Sequence, residues 1–346
     1  FTSGSTGVPK GVLACHRSVI DYIEQLSETL GFDGDTVFGN QTPLYFDACL
    51  KELYPTLKFG ATTYLIPKSL FMMPIKLVEF MNEHKVNTVC WVVSALTMIS
   101  AFGTFRKVRP EYLKTIAFGS EVFPIKQFNI WKENLPEASF TNLYGPTEGT
   151  GMCCYYKVDR DFELDEVIPI GHPFKNTQIL LLKDRKELAK PGEVGEICIR
   201  GTSVTLGYYN NPEKTSESYI QNPLNTAYPE IIYCTGDLGK YNENKELVFV
   251  SRKDYQIKHM GHRIELGEIE ANVNMLDGIK FSGCIYDNEK GKIVLYYSGD
   301  KDIAVELRNR LPRYMIPNLI IKLDSIPMTA NGKIDRVSLK KMYSEQ

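Results

Sequence analysis

Short apolar runs that interleave with amphipathic helical stretches constrain this chain's fold more than any other feature of its sequence. Residues 62–66, 88–93 and 115–118 read as strands, and 74–83 and 124–134 carry apolar side chains at helical spacing. Such alternation argues an α/β domain built in layers. An earlier helix is expected where Val19, Ile23, Leu26 and Leu30 form one apolar stripe. Ser18 stands at its cap with Asp21 three residues on, and Gly31 stops it. The longest apolar stretch, 86–102, is interrupted by Asn87, Thr88, Ser94, Thr97 and Ser100. A membrane span needs roughly 20 apolar residues, so this stretch reads as a buried strand running into a helix.

After about Gly151 glycines and prolines become more frequent, and 193–200 and 246–250 look like strands of a β-rich part. A third texture begins at Asp254. It holds a helix with Ile269, Val273 and Leu276 on one face, two strands around the turn 287–291, and a helix carrying Ile303, Leu307 and Leu311. The fold expected is α/β: a large layered domain over 1–253, ending in a β-rich subdomain, then a small mobile α+β domain over 254–346.

With 40 Lys and Arg against 42 Asp and Glu, the net charge is −2. No basic excess exists to draw a nucleic-acid backbone or an anionic membrane, so neither is expected as a partner. Eight scattered cysteines form no C-x-x-C pair and sit mostly in apolar contexts, which favours free buried thiols in a reducing cytoplasm. His259 and His262 lack further ligand candidates, so a zinc site is not expected. The chain opens on Phe1 directly before a glycine-rich run, and an upstream segment is expected to precede it.

That run is Phe1-Thr2-Ser3-Gly4-Ser5-Thr6-Gly7-Val8-Pro9-Lys10-Gly11. Small residues let backbone N–H groups turn toward an anion, hydroxyls add donors, and the lysine adds a point charge. The chemistry suits a polyphosphate. The GTPase-type P-loop does not fit, because Gly11 stands where a hydroxyl should follow the lysine.

The loop resembles the phosphate signature of the adenylate-forming superfamily, which holds acyl-CoA synthetases, luciferases and amino-acid adenylation domains. The resemblance continues in order through Asn142-Leu143-Tyr144-Gly145-Pro146-Thr147-Glu148, Gly195–Gly201 and Tyr233-Cys234-Thr235-Gly236-Asp237-Leu238. Ser251-Arg252-Lys253-Asp254 with 261–270, then 311–317, and Asn331-Gly332-Lys333-Ile334-Asp335-Arg336 complete seven blocks across the chain. The family fold also has an N-terminal part that these residues do not include.

The resemblance implies that a carboxylate attacks the α-phosphorus of Mg·ATP, expelling pyrophosphate, and that a thiol then takes the acyl group. Thr2, Ser3, Gly4, Ser5, Thr6, Gly7 and Lys10 would hold phosphates. Glu148 would bind Mg²⁺ and Thr147 the α-phosphate. Tyr144 would stack on adenine, with Asn142, Gly119, Ser120 and Glu121 nearby. Asp237 would accept both ribose hydroxyls beside Arg252. Lys333 would reach the reacting carboxylate, and Asp254 falls at the hinge of the small domain.

Phe46-Asp47-Ala48-Cys49 resembles the block in which amino-acid adenylation domains pair an aspartate with the substrate ammonium. Asp47 could also simply cap a helix over 48–57. Lys51, four residues on, could pair with Asp47, meet an acidic substrate side chain, or snorkel to solvent. By motif position Ala48, Trp91, Ile116, Phe118 and Met152 also line the substrate cleft, and bulky walls suit a small side chain. The chain is most similar to D-alanine–carrier-protein ligases, with peptide-synthetase adenylation domains close behind. The expected function is ATP-dependent activation of a small amino acid, D-alanine favoured, and its transfer to a carrier protein's phosphopantetheine arm. The alternatives are an acyl- or aryl-CoA ligase and a catalytically incomplete nucleotide-binding fragment.

Overall fold

The computed structural model describes residues 1–2, 10–253, 256–276, 278–328 and 334–345. The backbone divides into two compact units, Phe1 with Gly11–Lys253, and Thr2–Lys10 with Asp254–Gln346.

The first unit opens with α1 (His16–Leu30), closed by Gly31 in the left-handed region at φ 71°. The helix begins earlier than its sequence suggests. Cys15 is the cap residue and makes no side-chain cap bond, and Ser18 lies inside the first turn beside the Cys15 sulfur. Asp21 is drawn instead to Asn176 and Thr202, far along the chain. Tertiary partners prevail over the local capping box.

Strands β1 (Val37–Asn40), β2 (Thr62–Leu65), β3 (Thr88–Val92), β4 (Thr115–Gly119) and β5 (Ser139–Tyr144) are parallel, in the spatial order β2-β1-β3-β4-β5. Antiparallel β6 (Cys154–Lys157) and β7 (His172–Pro173) extend that sheet. On one face α1 packs near α2 (Leu50–Phe59), with Tyr22, Leu26, Phe38, Cys90, Ala117 and Leu143 between helices and sheet. On the other face α3 (Pro74–Glu83), α4 (Val93–Ala101) and α5 (Ile125–Asn134) cover Val89, Trp91, Ile116 and Phe118. Alternation along each strand assigns neighbours to opposite cores.

The β-rich part forms a second sheet. β8 (Thr177–Lys183), β9 (Glu187–Leu188) and β10 (Gly195–Gly201) are followed by α6 (Pro212–Ser218), β11 (Tyr219–Gln221), the long β12 (Ile231–Tyr241) and β13 (Leu247–Arg252). β12 lies between β10 and β11, with β13 along its later half. All eight cysteines are free thiols. Cys198 and Cys234 face each other across β10 and β12 with sulfurs 3.5 Å apart.

In the second unit β14 (Gln256–His259) pairs with β15 (His262–Glu265) ahead of α7 (Leu266–Asn274). β16 (Ile279–Asp287), β17 (Lys292–Gly299) and, after α8 (Ala304–Arg310), β18 (Leu319–Lys322) make a three-stranded sheet. The final helix is α9 (Arg336–Ser344). Ile269, Val273, Leu276, Ile303, Leu307 and Leu311 share one core. No helix among the described residues is long and apolar enough to cross a membrane.

Candidate active site

Loops that leave the carboxyl ends of parallel strands converge on one edge of a sheet. Asp47 follows β1, Ser120 and Glu121 follow β4, and Thr147 and Glu148 follow β5. Ser120 holds a φ of 68°, an uncommon conformation for a residue with a Cβ. After β5 the chain turns through Gly145, where a Cβ would collide with the Gly151 carbonyl oxygen. Only glycine lets these two segments touch.

Glu148 is fully buried in a short 3₁₀ turn, Thr147–Gly149. Its Oε1 accepts from the Tyr208 hydroxyl at 2.7 Å, and its carbonyl accepts from both the amide and the hydroxyl of Thr205 at 3.0 Å. Thr150 donates to the Ser203 carbonyl at 2.7 Å. The 203–208 segment therefore grips the acidic turn from outside its motif, a pairing 60 residues apart that sequence reading missed.

A second buried carboxylate, Asp237 on β12, stands opposite Arg252 on β13. Arg252 Nη1 donates to Oδ1, the Tyr144 hydroxyl donates to Oδ2 at 2.6 Å, and Arg252 Nη2 reaches the Thr235 carbonyl at 3.1 Å. Burial, then the Asp237 charge, pushes the Tyr144 phenol well up, so it stays a donor. Each carboxylate oxygen has lone pairs for more than one donor, so Asp237 retains capacity for a ligand.

Asp237 is aimed by a neighbour that the sequence did not single out. Glu196 on β10 is gripped by Arg185 through two bonds of 2.9 and 2.8 Å and accepts the Gly236 N–H at 3.1 Å. Burial would raise its carboxyl, but Arg185, Lys253 and that N–H together hold it below its usual range.

Other expected residues carry structural work. Asn142 donates to the Pro169 carbonyl at 2.9 Å, and Glu121 accepts the Ser94 N–H in the first turn of α4 at 2.7 Å. An anion there suits the helix dipole. Gly119 lies so close to the Leu143 carbonyl that a Cβ would strike its oxygen. Thr2 and Lys10 bond each other's backbone at 2.9 and 2.8 Å. Ser3, Gly4, Ser5, Thr6, Gly7, Asp254 and Lys333 lie outside the described residues.

Around Asp47 the structure gathers an ionisable group. Asp47 and Ala48 sit half-buried in a 3₁₀ turn, Asp47–Cys49, and α2 starts only at Leu50. Asp47 makes no cap bond, so the simple capping role is not what holds it. Lys51, in the first turn of α2, is only 2% exposed, and Glu52 is fully buried. Glu52 accepts from the Asn40 amide and from the Cys90 N–H at 3.4 Å. Burial pushes its carboxyl up to about 7, against the pull of Asn40 and Lys51. Burial pushes the Tyr22 phenol well up, with Asp47 and Glu52 adding to the shift, and Tyr22 accompanies Met152 in the same core. Of the expected cleft walls, Met152 is therefore on the Asp47 side. Trp91, Ile116 and Phe118 pack into the core on the sheet's opposite face.

In the second unit Arg336 Nη2 donates to both Glu270 oxygens at 2.5 and 2.6 Å, Glu270 accepts the Cys284 N–H, and Asp335 caps α9. Met328 and Ile334 form an isolated bridge.

A divalent cation fits Glu148 chemically. Mg²⁺ is commonly held by one or two carboxylates, with phosphates and water supplying the rest. No cluster of three acidic, histidine or cysteine ligands occurs among the described residues.

A sequence profile of the family described as "AMP-binding enzyme" matches residues 1–209. The chain is 33% identical over 350 residues to bacitracin synthase 1 of Bacillus licheniformis, covering 98% of this chain and 6% of that protein. It is 32% identical over 348 residues to the L-proline–[L-prolyl-carrier protein] ligase of Streptomyces coelicolor, covering 97% and 64%. The chain thus spans a small fraction of one relative and under two thirds of the other. Among solved structures it is similar to holo-PA1221, an NRPS protein containing adenylation and PCP domains, at 26% identity and a TM-score of 0.84, covering 99% and 59%. The Vibrio cholerae adenylation domain AlmE, solved with glycyl-adenosine-5'-phosphate, shares the fold at 22% identity and a TM-score of 0.86, covering 100% and 66%. The buried carboxylates at the strand ends and the match across more than half of the chain agree: this chain belongs to the AMP-binding enzyme family of the adenylate-forming superfamily.

Proposed function

We propose that this chain activates an amino acid with Mg·ATP as an aminoacyl-adenylate and transfers it to the phosphopantetheine thiol of a carrier protein. The observation that carries this reading is the pair of buried carboxylates, Glu148 and Asp237, each held by a tyrosine hydroxyl at the edge where the parallel strands end. Asp47, on a loop after β1, supplies the anion that an ammonium group requires. The proline ligase's name and the PCP domain of PA1221 support the carrier-protein step by analogy.

In the first half-reaction a substrate carboxylate oxygen bonds the α-phosphorus, and pyrophosphate leaves with the bridging oxygen. Two anions must meet, so charge neutralisation and positioning supply most of the rate. Glu148 would hold Mg²⁺, which offsets phosphate charge when bound. Thr147 donates to the α-phosphate, Lys10 and the loop from Thr2 to Gly7 hold the outer phosphates, and Lys333 neutralises the reacting carboxylate. Asp237, fixed by Tyr144 and Arg252, takes the ribose hydroxyls. In the second half-reaction the thiol sulfur bonds the carbonyl carbon, its proton is lost, and AMP leaves. Asp254 is the hinge that withdraws the 254–346 domain between the two.

D-alanine, which the sequence favours, carries no side-chain group to meet Lys51.

Amino-acid-dependent ATP–pyrophosphate exchange tests the reading. Exchange is expected with an amino acid and not with acetate, and Glu148→Gln is expected to lower kcat roughly a hundredfold. Exchange with amine-free acids alone would overturn it in favour of an acyl-CoA ligase.

A further inference from the structure

Lys51 is a charged side chain in a place that charges avoid. It is only 2% exposed, in the first turn of the ten-residue α2, where the helix dipole presents its positive end. Burying an unpaired ammonium is costly, and the dipole adds to that cost. Among the described residues Lys51 makes no hydrogen bond and no ion pair, although its charge is felt by Glu52, Cys49 and Cys90.

Each way of neutralising Lys51 from within the protein meets an obstacle. Asp47 lies four residues earlier, but a 3₁₀ turn separates it from the helix, and no ion pair forms. With 2% of the residue exposed, the stem is enclosed and only the ammonium tip can touch accessible space. Glu52 feels the Lys51 charge, but burial favours its neutral form and it makes no ion pair with Lys51. Tyr22, Cys49 and Cys90, the remaining titratable groups nearby, are all pushed up by burial and stay neutral at physiological pH. The cation is left without an internal ion-pair partner, four residues from the Asp47 that the sequence assigns to an ammonium group.

We propose that the amino acid activated by this chain carries a carboxylate in its side chain, and that the Lys51 ammonium is the group that recognises it. This deepens the amino-acid reading above and rests on it. An aspartate- or glutamate-like substrate would then match the site charge for charge. Its ammonium meets Asp47, its side-chain carboxylate meets Lys51, and its α-carboxylate is free to attack ATP. A neutral isostere would leave Lys51 buried and unpaired, which is how a polar site rejects the wrong substrate.

The test is ATP–pyrophosphate exchange in the protein that carries this chain, with D- and L-aspartate, D- and L-glutamate, asparagine, glutamine, alanine, glycine and acetate. The expected result is a kcat/KM for a dicarboxylic amino acid roughly a hundredfold above its amide. Lys51→Met should erase that preference and raise activity toward the neutral amide, and Lys51→Arg should retain part of it. Thermal melts of both variants distinguish loss of recognition from loss of fold. Exchange that favours alanine, glycine or the amides would overturn the acidic side chain while leaving amino-acid activation intact. Exchange with acetate alone would overturn both.

Discussion

Glu52 sits one residue beyond Lys51, wholly enclosed, and carries a pH dependence of its own. Burial lifts its carboxyl from 4.5 to about 7, so between those values the folded protein holds a proton that the unfolded chain has lost. Stability is therefore greatest below pH 4.5 and falls as pH rises through 7, by about 3 kcal/mol for this group. Glu52→Gln is expected to flatten the melting temperature between about pH 5 and 8, and an unchanged slope would show that Lys51 keeps Glu52 ionised. At the second carboxylate, Tyr144→Phe removes one of two side-chain donors to Asp237. A bond to a charged group is worth about 1.5–3 kcal/mol. The KM for ATP should rise roughly tenfold with kcat little changed, measured by exchange at varied ATP.

Among the elements, the turns between them do the positioning. The turn after β5 is feasible because Gly145 has no side chain where the 151–152 backbone passes. Gly145→Ala must push that backbone aside, an overpacking that costs about 3 kcal/mol, and would displace Glu148 three residues later. Denaturant unfolding and exchange activity should fall together; a normal rate at full stability would show that the turn adapts. Helix limits were partly legible. Gly31 stops α1 because a left-handed residue there is easy only for glycine. Its start was not legible, since Ser18 and Asp21 found partners that no local pattern contains.

For the whole molecule, each unit keeps its own core and its own buried ion pair. In the second, Arg336 ties α9 to α7 and β16 through Glu270. Burial raises the Glu270 carboxyl, and Arg336 and the Cys284 N–H oppose that. Arg336→Met would leave a buried acid unpaired, at about 3–5 kcal/mol. Amide hydrogen exchange should quicken in β16, β17 and α9 and stay unchanged in β3, β4 and β5. Faster exchange in both sets would mean that the two units unfold as one.

Local patterns determined the alternating elements of the first unit, because strand and helix periods are written in neighbouring residues. The ordered motif blocks pointed to a phosphate-handling enzyme through their resemblance to the adenylate-forming superfamily. Tertiary structure alone decided which carboxylates are clamped, because Tyr208 meets Glu148 across 60 positions and Tyr144 meets Asp237 across 93. It also decided that Lys51 is enclosed and makes no pair with Asp47. Burial is a property of everything packed around a side chain, and a few residues of local sequence do not contain it.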